Sequence, residues 1–289
     1  MKHFFIISNT FKDPDLEMTH QVQAYIKNRG GVCDYFVTRP YEKEDNKIDC
    51  SKIPKETEVI LVLGGDGTLI RTARDVVSLR IPLIGVNLGT LGYLCELTRD
   101  TVFAAIDQIF EDHYELENRI MLRGVDEQGN VKGCALNDVV IHRMGLLQIV
   151  RINVYISDKY LTTYNADGII VSTPTGSTGY SMSSGGPIVD PKADLLLITP
   201  ISPHALSSKS IVISPEDTIC LEIAERRAEQ DEEVVVSFDG DQLMSLNVGE
   251  KITISKSPLM VKILKIGSQS FLEILQKKMS VYNDSNDKV

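Results

Sequence analysis

The chain has 289 residues, of which 43% are hydrophobic and 24% charged, and its formal net charge is −10. This is the composition of an ordinary globular protein with room for two domains or one large one. No apolar run approaches the ~20 residues of a membrane-spanning helix, and the acidic balance argues against an extended nucleic-acid surface. The five cysteines are widely spaced and contain no Cys-x-x-Cys pair, so neither a disulfide framework nor a zinc site is predicted, and we expect a cytoplasmic protein.

Residues 1–115 alternate strand-like and helix-like segments, which predicts a parallel, Rossmann-like α/β domain. Apolar runs without polar alternation predict strands that are buried on both faces. Apolar residues at helical spacing predict the intervening helices. The predicted strands are 3–8, 32–38, 59–63 and 81–88, and the predicted helices are 16–28, 100–110 and a segment that follows Thr68.

The most informative stretch of this domain is the strand 59–63 followed by Gly64-Gly65-Asp66-Gly67-Thr68. Glycine permits unusual backbone angles and lets a ligand approach the backbone closely. Asp66 is predicted at the carboxyl end of a strand and just before a helix, where open α/β sheets bind ligands and helix N-termini favour anions. A plain tight turn uses the same residue types but does not need three glycines. Asp66 is therefore a candidate base or metal contact.

Residues 116–258 predict a second, β-sandwich-like domain, because strand-like segments follow one another with turn signals between them. Residues 126–130 have the composition of a hairpin turn. The segment 259–289 contains one predicted helix, 270–278, and we expect it to return to the N-terminal domain. The predicted strands are 114–125, 134–142, 149–157, 168–173, 195–199, 211–213, 218–224, 233–238 and 251–255.

The second motif lies inside the β-rich domain, from Asp167 to Pro187. A strand ends in Ser-Thr-Pro, and residues 175–184 then offer seven hydroxyl groups among glycines. Such a segment can bind phosphates and ribose hydroxyls through N–H and O–H donors without lysines. Richness in Ser, Thr and Gly is also common in ordinary loops, so the motif gains weight from its position after an apolar strand.

Taken in order, these motifs resemble the NAD kinase family over about residues 2–280. The resemblance rests on the motif 64–68, the segment Asn-Leu-Gly-Thr-Leu-Gly-Tyr-Leu at 87–94, Asn137-Asp138, the block Asp167–Pro187 and Asp239-Gly240. The acid motif is shared with diacylglycerol and sphingosine kinases and, more loosely, with phosphofructokinases. Residues 172–181 are much more particular to NAD kinases.

The resemblance implies transfer of the γ-phosphoryl group of ATP to the 2′-hydroxyl of the adenosine ribose of NAD, which gives NADP. It implies Asp66 as the general base and an active site at the junction of the two domains. It also implies Mg²⁺ or another divalent cation held mainly by the phosphates, and a homodimer or homotetramer. NAD and ATP are the expected partners, with neither nucleic acid nor membrane among them, and no residue is predicted to bind metal.

The same resemblance implies the nucleotide-binding residues. Asn137 and Asp138 would hold ribose hydroxyls of NAD. The other predicted positions are Gly67, Arg71, Gln148, Asn165, Asp167, Thr178, Gly179, Tyr180, Ser181, Met182, Ser183 and Gln242. Asp138 stands where many members have Glu, Gly179 where Ala is common, Asn165 where His or Arg is frequent, and Lys209 where Arg is common. The contacts at these positions stay open.

Two alternatives compete with this interpretation. A lipid kinase that shares the acid motif would be expected to carry an apolar membrane-facing patch or a basic amphipathic helix, and the sequence has neither. A non-catalytic sensor of NAD or NADP would be expected to have lost Asp66 or its glycines, and all are present.

Overall fold

The structure is a computed structural model that describes residues 1–39, 47–90, 92–144, 149–205, 209–225, 234–267 and 270–286, and leaves out the side chains of 242, 243 and 281–286. The chain divides into two compact units. Unit 1 comprises residues 1–118 and 261–289, and unit 2 comprises residues 119–260.

The first half of the chain alternates strands and helices. Its elements are β1 (His3–Asn9), α1 (Glu17–Asn28), β2 (Val32–Thr38), β3 (Val59–Gly64), α2 (Asp66–Val76), β4 (Leu83–Asn87), β5 (Leu97–Thr98) and α3 (Val102–Phe110). These strands form a parallel sheet in the order β5-β4-β3-β1-β2.

The register of unit 1 brings the carboxyl ends of β3 and β4 to one edge of the sheet. Gly64, the last residue of β3, pairs with Asn87, the last residue of β4, and the N–H of Leu88 donates to the carbonyl of Gly64 at 2.8 Å. The segment after β4 therefore runs beside the residues that follow β3. Burial of β3 on both faces explains its continuous apolar sequence.

The second part of the chain is mostly strand. Its elements are β6 (Glu115–Val125), β7 (Val131–Ala135), β8 (Asp138–Arg143), β9 (Val150–Ile156), β10 (Lys159–Ala166), β11 (Gly168–Ser172), α4 (Tyr180–Ser183), β12 (Leu196–Ile201), β13 (Ile211–Ile213), β14 (Ile219–Ile223), β15 (Val234–Phe238), β16 (Asp241–Leu246) and β17 (Lys251–Lys265). Helix α5 (Phe271–Asn286) follows in unit 1.

Unit 2 contains two antiparallel layers. One has the order β13-β12-β11-β8-β15-β16, and the other contains β10-β9-β14-β17. Apolar residues of both layers form one buried core, for example Ile169 and Val236 with Val154 and Leu221. The predicted fold class, a Rossmann-like α/β domain with a β-sandwich-like domain, is confirmed.

The strand predictions need correction at several places. The strands β5, β10 and β16 were not predicted, and the predicted strand 134–142 is two strands, β7 and β8. Strand β17 continues ten residues beyond the predicted end at Ser255. Strand β10 lies at the edge of its layer, and only Tyr164 and Ala166 of its residues are buried, so it has no apolar run. The strand β17 continues through Pro258, although proline has no N–H to donate to a sheet. No helix in the described ranges is long and apolar enough to cross a membrane.

The core of unit 1 gives a first test. Leu61 of β3 is fully buried among Ile6, Leu63 and Ile84, so Leu61→Ala leaves a cavity and is expected to lower the free energy of unfolding by about 2–5 kcal/mol. Leu272→Ala, at a side chain on α5 that is 69% exposed, is the matched control and should change it by less than about 0.5 kcal/mol. Urea unfolding measures both, and equal midpoints would contradict this packing.

Candidate functional site

Asp66 occupies the predicted position, at the first residue of α2 and directly after β3. Its carboxylate accepts hydrogen bonds from three consecutive backbone N–H groups that follow β4. The N–H of Tyr93 donates to Oδ2 at 2.5 Å, that of Cys95 to Oδ1 at 3.0 Å, and that of Leu94 lies 3.2 Å from both oxygens. A negative side chain is also favourable in the first turn of a helix. The carboxylate is thus fixed in orientation at the sheet edge.

Gly92 explains how this backbone comes so close to the acid. A Cβ atom built at Gly92 would overlap the Asp66 carboxylate. A side chain there would force the carboxylate or the segment 92–95 to move. Tyr93 has a further contact, because the ammonium of Lys278 on α5 lies 4.1 Å from the centre of its ring. The sequence motif 87–94 therefore has a physical role that the sequence analysis did not assign, although Leu91 lies outside the described residues.

The remaining predicted residues of unit 1 differ in their surroundings. Gly67 is exposed, and a Cβ atom built on it meets nothing within 4 Å, so packing within the chain does not require glycine there. Arg71 follows Asp66 by five residues, about 140° around the helix, which turns it away from that carboxylate. Burial raises the pKa of Asp75, and the charge of Arg71 is among the smaller effects that oppose the rise.

Asn137 and Asp138 lie where β8 begins, in unit 2. Asp138 is 6% exposed, and the backbone N–H of Tyr180 donates to its carboxylate. Burial, with a further contribution from the negative charge of Asp239, raises the pKa of Asp138 to about 7. Oδ1 of Asn137 is buried and has no hydrogen-bond partner within the described residues. An unsatisfied buried acceptor is costly, and a donor from a ligand would satisfy it.

The loop after β11 brings several predicted residues to this pair. A 3-10 turn over Thr175–Thr178 leads into α4, and a Cβ atom built on Gly179 would lie 3.5 Å from Nδ2 of Asn137 and 3.6 Å from Oδ2 of Asp138. The loop and the start of β8 are thus in direct contact.

The side chains of this loop differ in their exposure to solvent. Tyr180 is 42% exposed and Ser183 is exposed, whereas Met182 and Thr178 are half-buried. Ser181 is fully buried, and its Oγ lies 3.0 Å from Oγ1 of Thr199. The side chain of Ser181 therefore belongs to an internal hydrogen-bond network.

Asn165 lies near the end of β10, and Asp167 comes directly after it. Nε of Arg143 lies 3.2 Å from Oδ1 of Asp167, so this half-buried carboxylate has a cationic partner. Asn165 is exposed, and its carbonyl accepts the N–H of His204 at 3.0 Å. Gln148 and the side chain of Gln242 lie outside the described residues.

The described residues contain no group of three or more His, Cys, Asp or Glu side chains that could hold a metal ion. The surroundings of Asp66 in unit 1 combine one carboxylate with backbone N–H groups. The surroundings of Asp138 in unit 2 combine one carboxylate with a backbone N–H group and the hydroxyls of the loop after β11. Such a donor set suits sugar hydroxyls and phosphates.

Comparison with known proteins identifies the family. Residues 5–114 match the ATP-NAD kinase N-terminal domain, and residues 136–266 match the ATP-NAD kinase C-terminal domain. The chain belongs to the ATP-NAD kinase family. It is 53% identical over 283 residues to a curated NAD kinase of Agathobacter rectalis, covering 98% of this chain and 100% of the relative. It is 37% identical to the NAD kinase of Caldanaerobacter subterraneus subsp. tengcongensis, covering 97% and 99%.

Two solved structures share the fold. A yeast NADH kinase complexed with NADH superposes with a TM-score of 0.79 at 22% identity, covering 96% of this chain and 88% of that one. An NAD kinase from Archaeoglobus fulgidus in complex with ATP gives a TM-score of 0.74 at 21% identity, covering 95% and 98%.

The contact between Gly92 and Asp66 makes Gly92→Ala informative. The added methyl group displaces the carboxylate, so kcat for NAD phosphorylation should fall by about a hundredfold, with KM for NAD nearly unchanged. Gly89→Ala is the matched control, because its methyl group meets only the flexible end of the Lys12 side chain. Steady-state kinetics of both variants measure kcat and KM, and thermal unfolding verifies that each variant is folded. Equal kcat values for the two variants would contradict the role of Gly92.

The raised pKa of Asp138 predicts a pH dependence of stability. In the unfolded chain this carboxyl has its ordinary pKa of about 3.9, whereas in the folded chain its pKa is about 7. Between these values the unfolded chain loses the proton and the folded chain keeps it, so the free energy of unfolding falls as pH rises. The full loss, reached above pH 7, amounts to a few kcal/mol at about 1.4 kcal/mol per pKa unit.

Asp138→Asn removes this titration while it preserves the size of the side chain. The melting temperature of the variant, relative to the natural chain, should therefore be higher at pH 8 than at pH 5. Calorimetric unfolding at the two pH values measures the difference. A constant offset between variant and natural chain would show that Asp138 does not titrate in this range.

Proposed function

We propose that this enzyme transfers the γ-phosphoryl group of ATP to the 2′-hydroxyl of the adenosine ribose of NAD, with Asp66 as the general base. As a member of the ATP-NAD kinase family, the chain is a kinase that acts on NAD. The roles of individual residues are the part that we propose.

The observation that carries the proposal is the anchored carboxylate of Asp66 at the carboxyl end of β3. An ionised carboxylate offers about four lone-pair sites, and three N–H groups donate to this one. The Cys95 thiol also hydrogen-bonds to this carboxylate, and a thiol is only a weak donor, so a stronger donor can take its place. A ribose hydroxyl is a donor of the right kind, and an acid held in one orientation is suited to accept its proton.

The relative acidities of the ribose hydroxyl and the Asp66 carboxyl group determine when the hydroxyl proton is transferred. A ribose hydroxyl is a far weaker acid than a carboxyl group, whose reference pKa is about 3.9. Asp66 therefore does not ionise the hydroxyl before the reaction and must accept the proton as the new P–O bond forms. A loose phosphoryl-transfer transition state suits this order, because most of the catalysis is then positioning and charge stabilisation.

Asn137 and Asp138 are proposed to bind ribose hydroxyls of NAD. The unsatisfied Oδ1 of Asn137 accepts a hydrogen bond from one hydroxyl group, and Asp138, when it is ionised, accepts a hydrogen bond from another. Asp167, Thr178, Tyr180 and Ser183 supply further polar groups to the dinucleotide.

A divalent cation, Mg²⁺ in our proposal, accompanies ATP. Mg²⁺ in phosphoryl-transfer enzymes is commonly held by substrate phosphates with one or two carboxylates. When bound, the cation would supply neutralisation of the phosphate charge. NADP formation should therefore cease when the cation is removed with a chelator.

Asp66→Asn tests the base directly. The amide keeps the size of the side chain but cannot accept the proton, so kcat for NADP formation should fall by several orders of magnitude, since general-base catalysis contributes about 10²–10⁴-fold. The assay couples NADP formation to a dehydrogenase, with ATP, Mg²⁺ and NAD. Asp107→Asn is the control, because Asp107 lies on α3 in hydrogen bonds to Tyr25 and Arg29 and should leave kcat unchanged.

Other outcomes of this assay would distinguish the proposed base from the alternative functions, a sensor and a lipid kinase. A near-normal kcat of Asp66→Asn would remove Asp66 from the role of base. If the natural chain formed no NADP but bound NAD in calorimetry, a sensor would be favoured. If it bound no NAD, a screen of lipid substrates would follow.

A further inference from the structure

Asp239 and Gly240 form the turn between β15 and β16, and the function described so far gives them no role. Asp239 has a φ of 53° and Gly240 a φ of 76°, so both adopt the left-handed conformation. Aspartate is among the few residues other than glycine that tolerate this region. The turn places the half-buried carboxylate of Asp239 beside residues 136–138, which lead into β8.

The Asp239 carboxylate accepts three consecutive backbone N–H groups. The N–H of Leu136 donates to Oδ2 at 2.8 Å, and those of Asn137 and Asp138 donate to Oδ1 at 2.8 and 3.2 Å. In return, the N–H of Asp239 donates to the carbonyl of Asp138 at 3.0 Å. Hydrogen bonds to a charged group are about twice as strong as neutral ones. This one side chain therefore fixes the backbone of the whole segment 136–138.

Thr173 holds the carbonyl groups of the same segment. Its Oγ1 donates to the carbonyl of Leu136 at 2.6 Å, and its N–H donates to the carbonyl of Asn137 at 2.9 Å. Oγ1 of Thr173 also accepts the N–H of Gly176 at 3.1 Å. The segment 136–138 is thus bonded to the loop after β11 through its carbonyls and to Asp239 through its N–H groups.

We propose that Asp239 is a positioning residue, which acts through Asn137 and Asp138 to set the affinity for the ribose of the dinucleotide. This inference rests on the function proposed above, in which that pair binds ribose hydroxyls. Asp239 donates nothing to the nucleotide in this account. Its effect reaches the substrate through the backbone that it holds and through its charge beside Asp138.

The charge gives Asp239 a signature that a purely structural residue would lack. The negative charge of Asp239 contributes to the raised pKa of Asp138, after burial. The acting groups at Asp138 are this carboxylate and the N–H of Tyr180, which opposes the rise. Removal of the charge should therefore let Asp138 ionise at a lower pH, although burial still keeps its pKa above the usual range.

The test compares Asp239→Asn with the natural chain in the NADP-formation assay from pH 5.5 to 8.5. In the variant, one carboxylate oxygen becomes an NH₂ group that faces backbone N–H donors, so at least one hydrogen bond is lost. KM for NAD should rise by about tenfold or more, with KM for ATP much less affected. The midpoint of the change of KM for NAD with pH should move to lower pH than in the natural chain.

Asp126→Asn is the matched control. Asp126 also stabilises a turn of unit 2, where it accepts the N–H of Asn130 at 2.7 Å and pairs with Lys132. This turn is the hairpin between β6 and β7, and Asp126 does not bond to the segment 136–138. It should lower the melting temperature without a change in KM for NAD or in its pH midpoint. If Asp239→Asn does not fold, Asp239→Glu keeps the charge and displaces the carboxylate by one methylene, and should raise KM for NAD several-fold at an unchanged midpoint.

An unchanged KM for NAD and an unchanged pH midpoint in a folded Asp239→Asn or Asp239→Glu variant would overturn the inference and leave Asp239 a structural turn residue. The function proposed above would stand in that case, because the natural chain still forms NADP. A natural chain that forms no NADP is the distinct result that overturns the proposed function itself.

Discussion

The structure depends on a carboxylate that accepts hydrogen bonds from backbone N–H groups outside the helices and sheets. Asp66 does this for Tyr93, Leu94 and Cys95. A segment that turns sharply after a strand leaves N–H groups without partners, and unpaired buried groups are costly. One acid at the start of α2 satisfies three of them, so the side chain proposed as the base and the fold at the sheet edge stabilise each other.

Unit 2 uses the same interaction a second time. Asp239 accepts the N–H groups of Leu136, Asn137 and Asp138, as Asp66 accepts those of the segment after β4. In both places a carboxylate fixes a short irregular backbone next to residues of the family motifs. Precise positioning matters because phosphoryl transfer depends chiefly on geometry and electrostatics.

Much of this could be predicted from the sequence, because the strongest signals are local. The apolar run 59–63 and the glycines around Asp66 fixed the strand, the turn and the following helix without any long-range information. The edge strands β10 and β16 were missed because an edge strand buries few residues and carries no apolar run. The full length of β17 is not evident from the sequence, because a proline is uncommon inside a strand.

The roles of Gly92 and Asp239 could not be derived from sequence for a different reason. Both act on residues 26 and about 100 positions away, and only the register of β3 with β4 and of β8 with β15 brings them together. Repeated glycines and an Asp-Gly pair mark such positions as unusual, but they do not identify the partner. The raised pKa of Asp138 likewise depends on burial and on a charge from another strand.

The most direct measurement of the central claim is a crystal structure of the enzyme with NAD, Mg²⁺ and a non-hydrolysable ATP analogue. We predict that a carboxylate oxygen of Asp66 lies within hydrogen-bond distance, about 2.6–3.2 Å, of the 2′-hydroxyl of the adenosine ribose. The N–H groups of residues 93–95 should still donate to the carboxylate. A 2′-hydroxyl bonded to a different side chain, with Asp66 out of reach, would contradict the claim that Asp66 is the base.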